Sequence, residues 1–362
     1  MEKPKFCYFR KEIEETNTYN VLGITFSNDK NRFGTNTQRL RDKTVRAIYS
    51  ARKLATDKIG NKIPIPVLLK IFDSQIQPIL DYGSEIWYQG KSISQLETLY
   101  LSYFKKVLKV KKQTSTLAVY GECGRCPLEL RQKELLLKYW CRILTLGQRD
   151  PLYIVYRELY KLTETSCKTW CNIVKDILQS MDQTDIYDRQ FKLQTTEIVT
   201  FKSKIKVDLR NGYTCFWRNE ISNHARHPIL RTYCLFKKDL CTESYLAHKI
   251  ENSYKKAIAQ FRVSSHKLAI ETGRHQRPKV PVSDRLCKYC NSACVDDEIH
   301  FLTSCHYHNI DRSTLYNCIN KNNPIFKNLN PRDKFTYMLR NESQSVTHAL
   351  GKFLHFAFRK RL

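Results

Sequence analysis

The sequence predicts a mainly α fold, with a short β fragment at its start and a small metal-stapled segment late in the chain. Three observations carry that expectation. From Thr35 onward, apolar residues recur at helical spacing between Pro, Gly and capping signals. Strand-like runs concentrate in residues 1–30. Late in the chain, Cys287-Lys-Tyr-Cys290 and His300-Phe-Leu-Thr-Ser-Cys305 together spell C-x2-C-x9-H-x4-C.

The β fragment reads as two strands, Phe6 to Phe9 and Val21 to Phe26, with the polar segment Lys11–Thr18 between them. Two strands alone are marginal in water, so this start is expected to need more sheet than these residues supply. The first helix begins at Thr35. Leu40, Ile48, Ala51, Leu54 and Ala55 form its apolar stripe, while Arg39, Arg41, Lys43, Arg46, Arg52 and Lys53 fill the other faces. Gly60-Asn61 and Ile63-Pro-Ile-Pro66 break the chain. Pro66 then opens a second helix through Leu68, Leu69, Phe72 and Ile76. Pro78 lies inside that pattern and is expected to kink or interrupt it. Ser94-x-x-Glu97 reads as a capping box for a third helix, to about Leu108. Pro127 opens a helix over Leu128–Leu146, stopped by Gly147, and Pro151 opens the next through Leu162. Trp170–Met181 and Thr195–Ile221 read as further helices. Residues 228–285 are less regular, with one candidate strand around Leu230–Phe236. Val346–Leu362 closes the chain as a helix with Leu350, Phe353, Leu354 and Phe358 on one side.

Composition bounds the function. A chain of 362 residues, 41% of them hydrophobic, has length for two or three domains and for a substantial core. The formal net charge of +27 points to a polyanionic partner, nucleic acid first and an anionic membrane surface second. No apolar run approaches the length of a transmembrane helix, and no secretory signal opens the chain. The expectation is a nuclear and/or cytoplasmic protein, not secreted and not membrane-bound. There the 14 Cys are reduced thiols and metal ligands rather than a disulfide framework.

Cys287, Cys290, His300 and Cys305 are a full ligand set for one structural Zn2+ ion. Thiolate and imidazole are the donors that tetrahedral zinc prefers, and four protein ligands leave no open position for water. The C-x2-C half brings two sulfurs together from one tight turn. A helix turns about 100° per residue, so the H-x4-C half would leave His300 and Cys305 roughly 140° apart. Cys305 is therefore expected past the end of a short helix. Cys294, His306 and His308 stand close enough in sequence to compete for a place in the set.

The basic residues of the first helix, Arg39, Arg41, Lys43, Arg46, Arg52 and Lys53, suit a phosphate backbone, because each neutralised phosphate releases counterions. Lys105, Lys106 and Lys109, with Lys111 and Lys112, make a second candidate contact. The plainer readings are a solvated face for the first and attraction to a helix C-terminus for the second. Phe261-Arg-Val-Ser-Ser-His266 and Glu271-Thr-Gly-Arg-His275 leave open a catalytic His/Glu pair, a nucleic-acid contact or an ordinary turn. The only Asp-Asp pair, Asp296-Asp297, falls between zinc ligands and reads as a loop. No phosphate-cradling glycine loop and no nucleophile elbow appears among the 11 Gly.

Several segments, taken in order, resemble a known family. Tyr19-Asn-Val-Leu22-Gly23-Ile-Thr-Phe26 is similar to the segment that follows the catalytic core in reverse transcriptases of non-LTR (LINE-type) retrotransposons. Leu69-x-x-Phe72-Asp73, Gln77-Pro78-Ile-Leu-Asp-Tyr82-Gly83 and Glu85-Ile-Trp87 look like that family's thumb-side helices. Tyr120-Gly121-Glu122 and Pro127-Leu-Glu129 fit as well. Phe261-Arg262, His266, Ile270-Glu271-Thr272-Gly273-Arg274 and Asp297-Glu298-Ile299-His300-Phe301-Leu302 resemble its C-terminal Cys-Cys-His-Cys (CCHC) zinc module. The resemblance implies a remnant of the polymerase palm over 1–30, with Leu22 and Gly23 at a primer-grip-like position. A helical thumb-like domain over 31–150 and a helical connecting region over 151–285 would follow, then the zinc-binding module over 286–310 and a C-terminal helical segment over 311–362. Val21 stands where an aromatic is usual and Asn20 where Lys is common, a departure from the family's primer-grip pattern. The family's catalytic Asp-Asp hairpin would lie upstream, so the expectation is a fragment that binds template–primer RNA or DNA without polymerising. It would be an enzyme only if an upstream part continues into Met1. A zinc-stapled protein-interaction adaptor and a non-functional relic are the rivals. The adaptor predicts an exposed apolar stripe along Val346–Leu362.

Overall fold

Helix dominates the computed structural model, which describes residues 7–9, 11–13, 15–28, 32–57, 63–89, 94–163 and 169–361. Of the expected features, Phe6, Gly60-Asn61, Leu362 and the side chains of Arg52, Leu54 and Ala55 lie outside the described residues.

The N-terminal strands form two small antiparallel hairpins. β1 (Cys7–Tyr8) pairs with β2 (Lys11–Glu12), and β3 (Thr18–Val21) pairs with β4 (Ile24–Ser27) in the register Thr18↔Ser27 to Val21↔Ile24. The single strand expected over Val21 to Phe26 is therefore split by a turn at Leu22-Gly23: Val21 ends β3, and Ile24 to Phe26 lie in β4. Leu22 and Gly23 both have positive φ, 47° and 85°, as a two-residue hairpin loop with matching twist requires. Only Gly adopts that conformation without cost. The polar segment Lys11–Thr18 in turn supplies β2 and the first residue of β3. Ile24 is buried, and Thr25 N–H donates to Asn36 Oδ1 at 3.2 Å, which seats β4 on the first helix.

That helix, α1 (Gly34–Asp57), buries Leu40, Thr44, Ile48 and Ala51 at helical spacing. Next, α2 (Ile65–Ile71) runs into a π turn, Phe72–Ile76, and then into α3 (Gln77–Asp81). The interruption expected at Pro78 takes that form: Gln77 N–H reaches back to Phe72 O, one residue before the ring that cannot donate. Gly83, at φ 65°, turns the chain into α4 (Ser84–Trp87). In α5 (Ser94–Val107), Ser94 is already the first helical residue. The Glu97 carboxylate accepts the Tyr120 hydroxyl and, at 3.0 Å, Leu128 N–H, so it serves the start of a later helix.

The middle of the chain follows its punctuation closely. α6 (Thr116–Cys123) ends at left-handed Gly124, α7 (Leu128–Leu144) follows Pro127, and Asp150 caps α8 (Pro151–Leu162) through Leu152 N–H at 2.8 Å. Thr169 and Asn172 form a capping box for α9 (Trp170–Gln179). α10 (Thr184–Asp188) and the long α11 (Thr195–Ser222) come next. The strand expected around Leu230–Phe236 is not formed. A 3-10 turn, Pro228–Leu230, and α12 (Tyr233–Phe236) occupy those residues. Leu230, Tyr233 and Cys234 are buried three and four positions apart, a helical spacing rather than a strand's alternation.

α13 (Asn252–Arg262) and α14 (Ala269–Thr272) precede the Cys/His segment; α15 (Asn309–Asn322), α16 (Pro331–Arg340) and α17 (Gln344–Arg359) follow it. Buried apolar residues form one continuous cluster from Leu40 to Ala357. Within it α7 packs on α4 and α11, while α13 and α15 both pack on α17. Gly351 permits the α13–α17 approach, since a Cβ there would stand 2.6 Å from Tyr254 Cβ. Val346, Leu350, Phe353, Leu354 and Ala357 of α17 are consequently buried. No described helix is long and apolar enough to cross a membrane.

Candidate metal centre and basic faces

Local pairing brings the first two cysteines together. Leu286 and Val295 form an antiparallel bridge, Cys287 N–H donates to Cys294 O at 2.9 Å, and Asp296 N–H donates to Arg285 O at 2.8 Å. The loop between them carries Cys287 and Cys290. The second pair comes from a π turn, His300–Ser304, whose start is capped by Asp297 Oδ1 accepting His300 N–H at 2.7 Å. Cys305 lies just past it in extended conformation, and its N–H donates to His300 O at 2.8 Å. A turn closed by the fifth residue rather than the fourth puts His300 and Cys305 on the same side, which an α-helix would not.

The ligand atoms of Cys287, Cys290, His300 and Cys305 all lie within 4.8 Å of one another, a group that could hold a metal ion. Cys287 Sγ stands 3.8 Å from Cys305 Sγ, and Cys290 Sγ 3.3 Å from His300 Nε2, so His300 presents Nε2 to the group. Burial pushes the Cys287 thiol up to about 12. At Cys290 burial also pushes upward, but bonds from Ser292, Cys287 and His300 outweigh it and bring the thiol down to about 6. The three competitors are elsewhere. Cys294 is exposed and donates to Ser292 O, His306 is exposed, and buried His308 accepts from Arg361 Nε at 3.0 Å.

A buried polar network backs the group. Glu298, two residues before His300, accepts Ser264 Oγ at 2.9 Å, His266 Nε2 at 3.0 Å and Arg231 Nη2 at 2.6 Å. Burial alone would raise the Glu298 carboxyl, but the His266 hydrogen bond and the charges of His266 and Arg231 bring it down to about 2. Arg231 also reaches Glu271 at 2.8 Å. His266 and Glu271 are thus separate members of one buried scaffold. Asp296-Asp297 is the expected loop, with Asp296 buried and accepting Ala269 N–H at 2.9 Å.

The candidate basic residues differ in what they already contact. Arg39 turns onto the β3–β4 hairpin and donates to Gly23 O at 3.2 Å and Thr25 Oγ1 at 3.3 Å. Arg41 stands 3.5 Å from Asp42, while Lys43, Arg46 and Lys53 are exposed. Lys105 Nζ donates to Lys112 O at 2.7 Å, closing the end of α5. Lys106 and Lys109 are exposed, and Lys109 O accepts Gln260 Nε2 at 2.8 Å. Leu22 projects from the hairpin tip at 87% exposure, its carbonyl taken by the Tyr82 hydroxyl. Sequence reasoning did not single out Arg231 and Arg361. Arg231 lies 67 positions from Glu298, and no local pattern links the two.

No family model, curated protein or solved structure matches the chain.

Proposed function

We propose that this chain is a nucleic-acid-binding part of a reverse transcriptase of the non-LTR (LINE) retrotransposon kind, without the polymerase aspartates. The observation that carries the reading is the convergence of Cys287, Cys290, His300 and Cys305 in a chain of net charge +27. The resemblance expects a CCHC zinc module at that point. The metal in this reading is Zn2+. Zinc–sulfur bonds of about 2.3 Å imply tetrahedral S···S edges of about 3.8 Å, and Cys287 Sγ to Cys305 Sγ is 3.8 Å. Zn2+ would act as a staple, joining the Cys287–Cys290 loop to the π turn; it would do no chemistry on a substrate.

The partner is RNA and/or DNA in the form of a template–primer, in a nuclear and/or cytoplasmic setting. Lys43, Arg46, Lys106 and Lys109 offer exposed cations for phosphates, and exposed Leu22 offers an apolar contact at the hairpin tip. An adaptor reading would need the apolar stripe of α17, which α13 and α15 cover.

Binding of a labelled RNA–DNA primer–template, beside single-stranded RNA and a charge-matched polyanion, across a salt series tests the proposal. A steep salt dependence with preference for the primer–template is expected. Equal binding of all three would reduce the reading to net charge alone.

A further inference from the structure

Just beyond α17, Arg361 reaches into the Cys/His group from a distant part of the chain. Its Nη2 stands 3.2 Å from Cys305 Sγ and 3.5 Å from Cys287 Sγ. Nη1 donates to Asp296 Oδ1 at 2.7 Å, and Nε donates to His308 Nε2 at 3.0 Å. The guanidinium lies against two aromatic rings, 4.5 Å from the Tyr289 centroid and 4.7 Å from that of Phe301. The side chain is 5% exposed. Nearly every donor of a rigid, planar fork is therefore used, and the ring contacts hold its plane.

Three thiolates and one imidazole around a divalent ion carry a net charge of −1, here in a largely buried setting. A charge in such a place needs a partner. Arg361 supplies a cation and two N–H donors aimed at two of the three sulfurs. Groups of this kind, one step out from the ligands, orient them and tune how firmly the metal is held.

We propose that Arg361 is a positioning residue of the metal site: it orients and screens the Cys287 and Cys305 thiolates and ties the end of α17 to the metal-holding loop. The proposal rests on the metal reading above. A neighbouring bond reinforces the tie, Tyr289 hydroxyl to Arg361 O at 2.8 Å, and Lys360 Nζ to Asp311 Oδ2 at 2.7 Å fastens the same helix end to α15.

The test uses the full chain loaded with one equivalent of Zn2+ or Co2+. Arg361→Met keeps an apolar stem between the rings but offers no donor, and Arg361→Lys keeps the charge without the fork. Zinc transfer to a chromophoric chelator should be favoured about 10–100-fold more in Arg361→Met, with Arg361→Lys between it and the parent. The thiolate-to-cobalt charge-transfer band should move to lower energy in Arg361→Met and partly return in Arg361→Lys, a change that loss of packing alone would not give. Unchanged transfer and an unchanged band in a metal-loaded variant overturn the role of Arg361 while leaving the metal site standing. If Arg361→Met does not fold, Arg361→Lys decides, and parent-like transfer with a parent-like band overturns the proposal. A parent chain that takes up neither metal overturns both.

Discussion

Arg262 illustrates how single residues carry this fold. It is buried, and its guanidinium meets Glu122 Oε2 at 2.8 Å and Glu243 Oε2 at 2.6 Å while lying over the rings of Phe236 and Tyr245. Burial would weaken its hold on the proton, but Glu122 and Glu243 reverse that. Glu122 sits on α6 and Arg262 on α13, 140 positions apart, so this ion pair is a cross-brace between two parts of the chain. Removing Arg262 strands the fully buried Glu122 carboxylate, which meets no other cation among the described ion pairs, whereas removing Glu122 leaves Arg262 its bond to Glu243. Arg262→Met should therefore lower the unfolding free energy by about 3–5 kcal/mol in urea titrations, and the double change Glu122→Leu with Arg262→Met by markedly less. Equal losses in the single and double variants would refute the brace. At the metal group, Cys287→Ser should abolish stoichiometric zinc uptake, read by elemental analysis of the purified chain. The four residues of the group were legible because each half of the set is local: C-x2-C is one turn, and His300 to Cys305 is one π turn. Arg361, Arg231 and Glu298 were not legible as partners, because their meeting depends on how distant helices pack.

At the scale of elements, helix starts followed from Pro127 and Pro151 because these residues act through their own backbone, while α7, expected to run to Leu146 before Gly147, ends earlier at Leu144. The errors have a common source. Val21 to Phe26 and Leu230–Phe236 are both apolar runs too short to show a period, and in each a neighbouring surface decided the outcome. In the first, left-handed Leu22 and Gly23 fold β4 back onto β3 while Ile24 and Thr25 seat it on α1; in the second, the buried spacing of α12 is helical. Gly351 gives an element-level prediction. Ala is favoured over Gly inside a helix by about 1 kcal/mol, yet a Cβ there would press on Tyr254 of α13. Gly351→Ala should destabilise the chain by about 1–3 kcal/mol, seen as a lower denaturation midpoint; a higher midpoint would mean that α13 and α17 are free to part. The exposed face of α1 gives another. Replacing Lys43 and Arg46 together with Ala should flatten the slope of log affinity against log salt by about 2 for duplex nucleic acid, whereas an unchanged slope would take α1 out of the contact.

At the scale of the molecule, one buried cluster links α1 to α17, and the metal group sits where the Cys287–Cys290 loop, the π turn and the end of α17 meet. Chelation should therefore speed amide exchange over residues 286–308 and the last turn of α17, while α5 to α7 keep their protection. Uniform protection after complete metal removal would show that the loop holds itself. The sequence alone determined the helical class, the order of the main helices, the four residues of the Cys/His group and the strong positive charge, since these depend on composition or on residues within a turn or two of each other. Tertiary structure alone decided that Arg39 braces a hairpin, that His266 and Glu271 belong to a buried scaffold, that the apolar stripe of α17 is covered, and that Arg361 reaches the Cys287 and Cys305 sulfurs. Those facts depend on which distant surfaces exclude water together, and burial of that kind has no local signature in the chain.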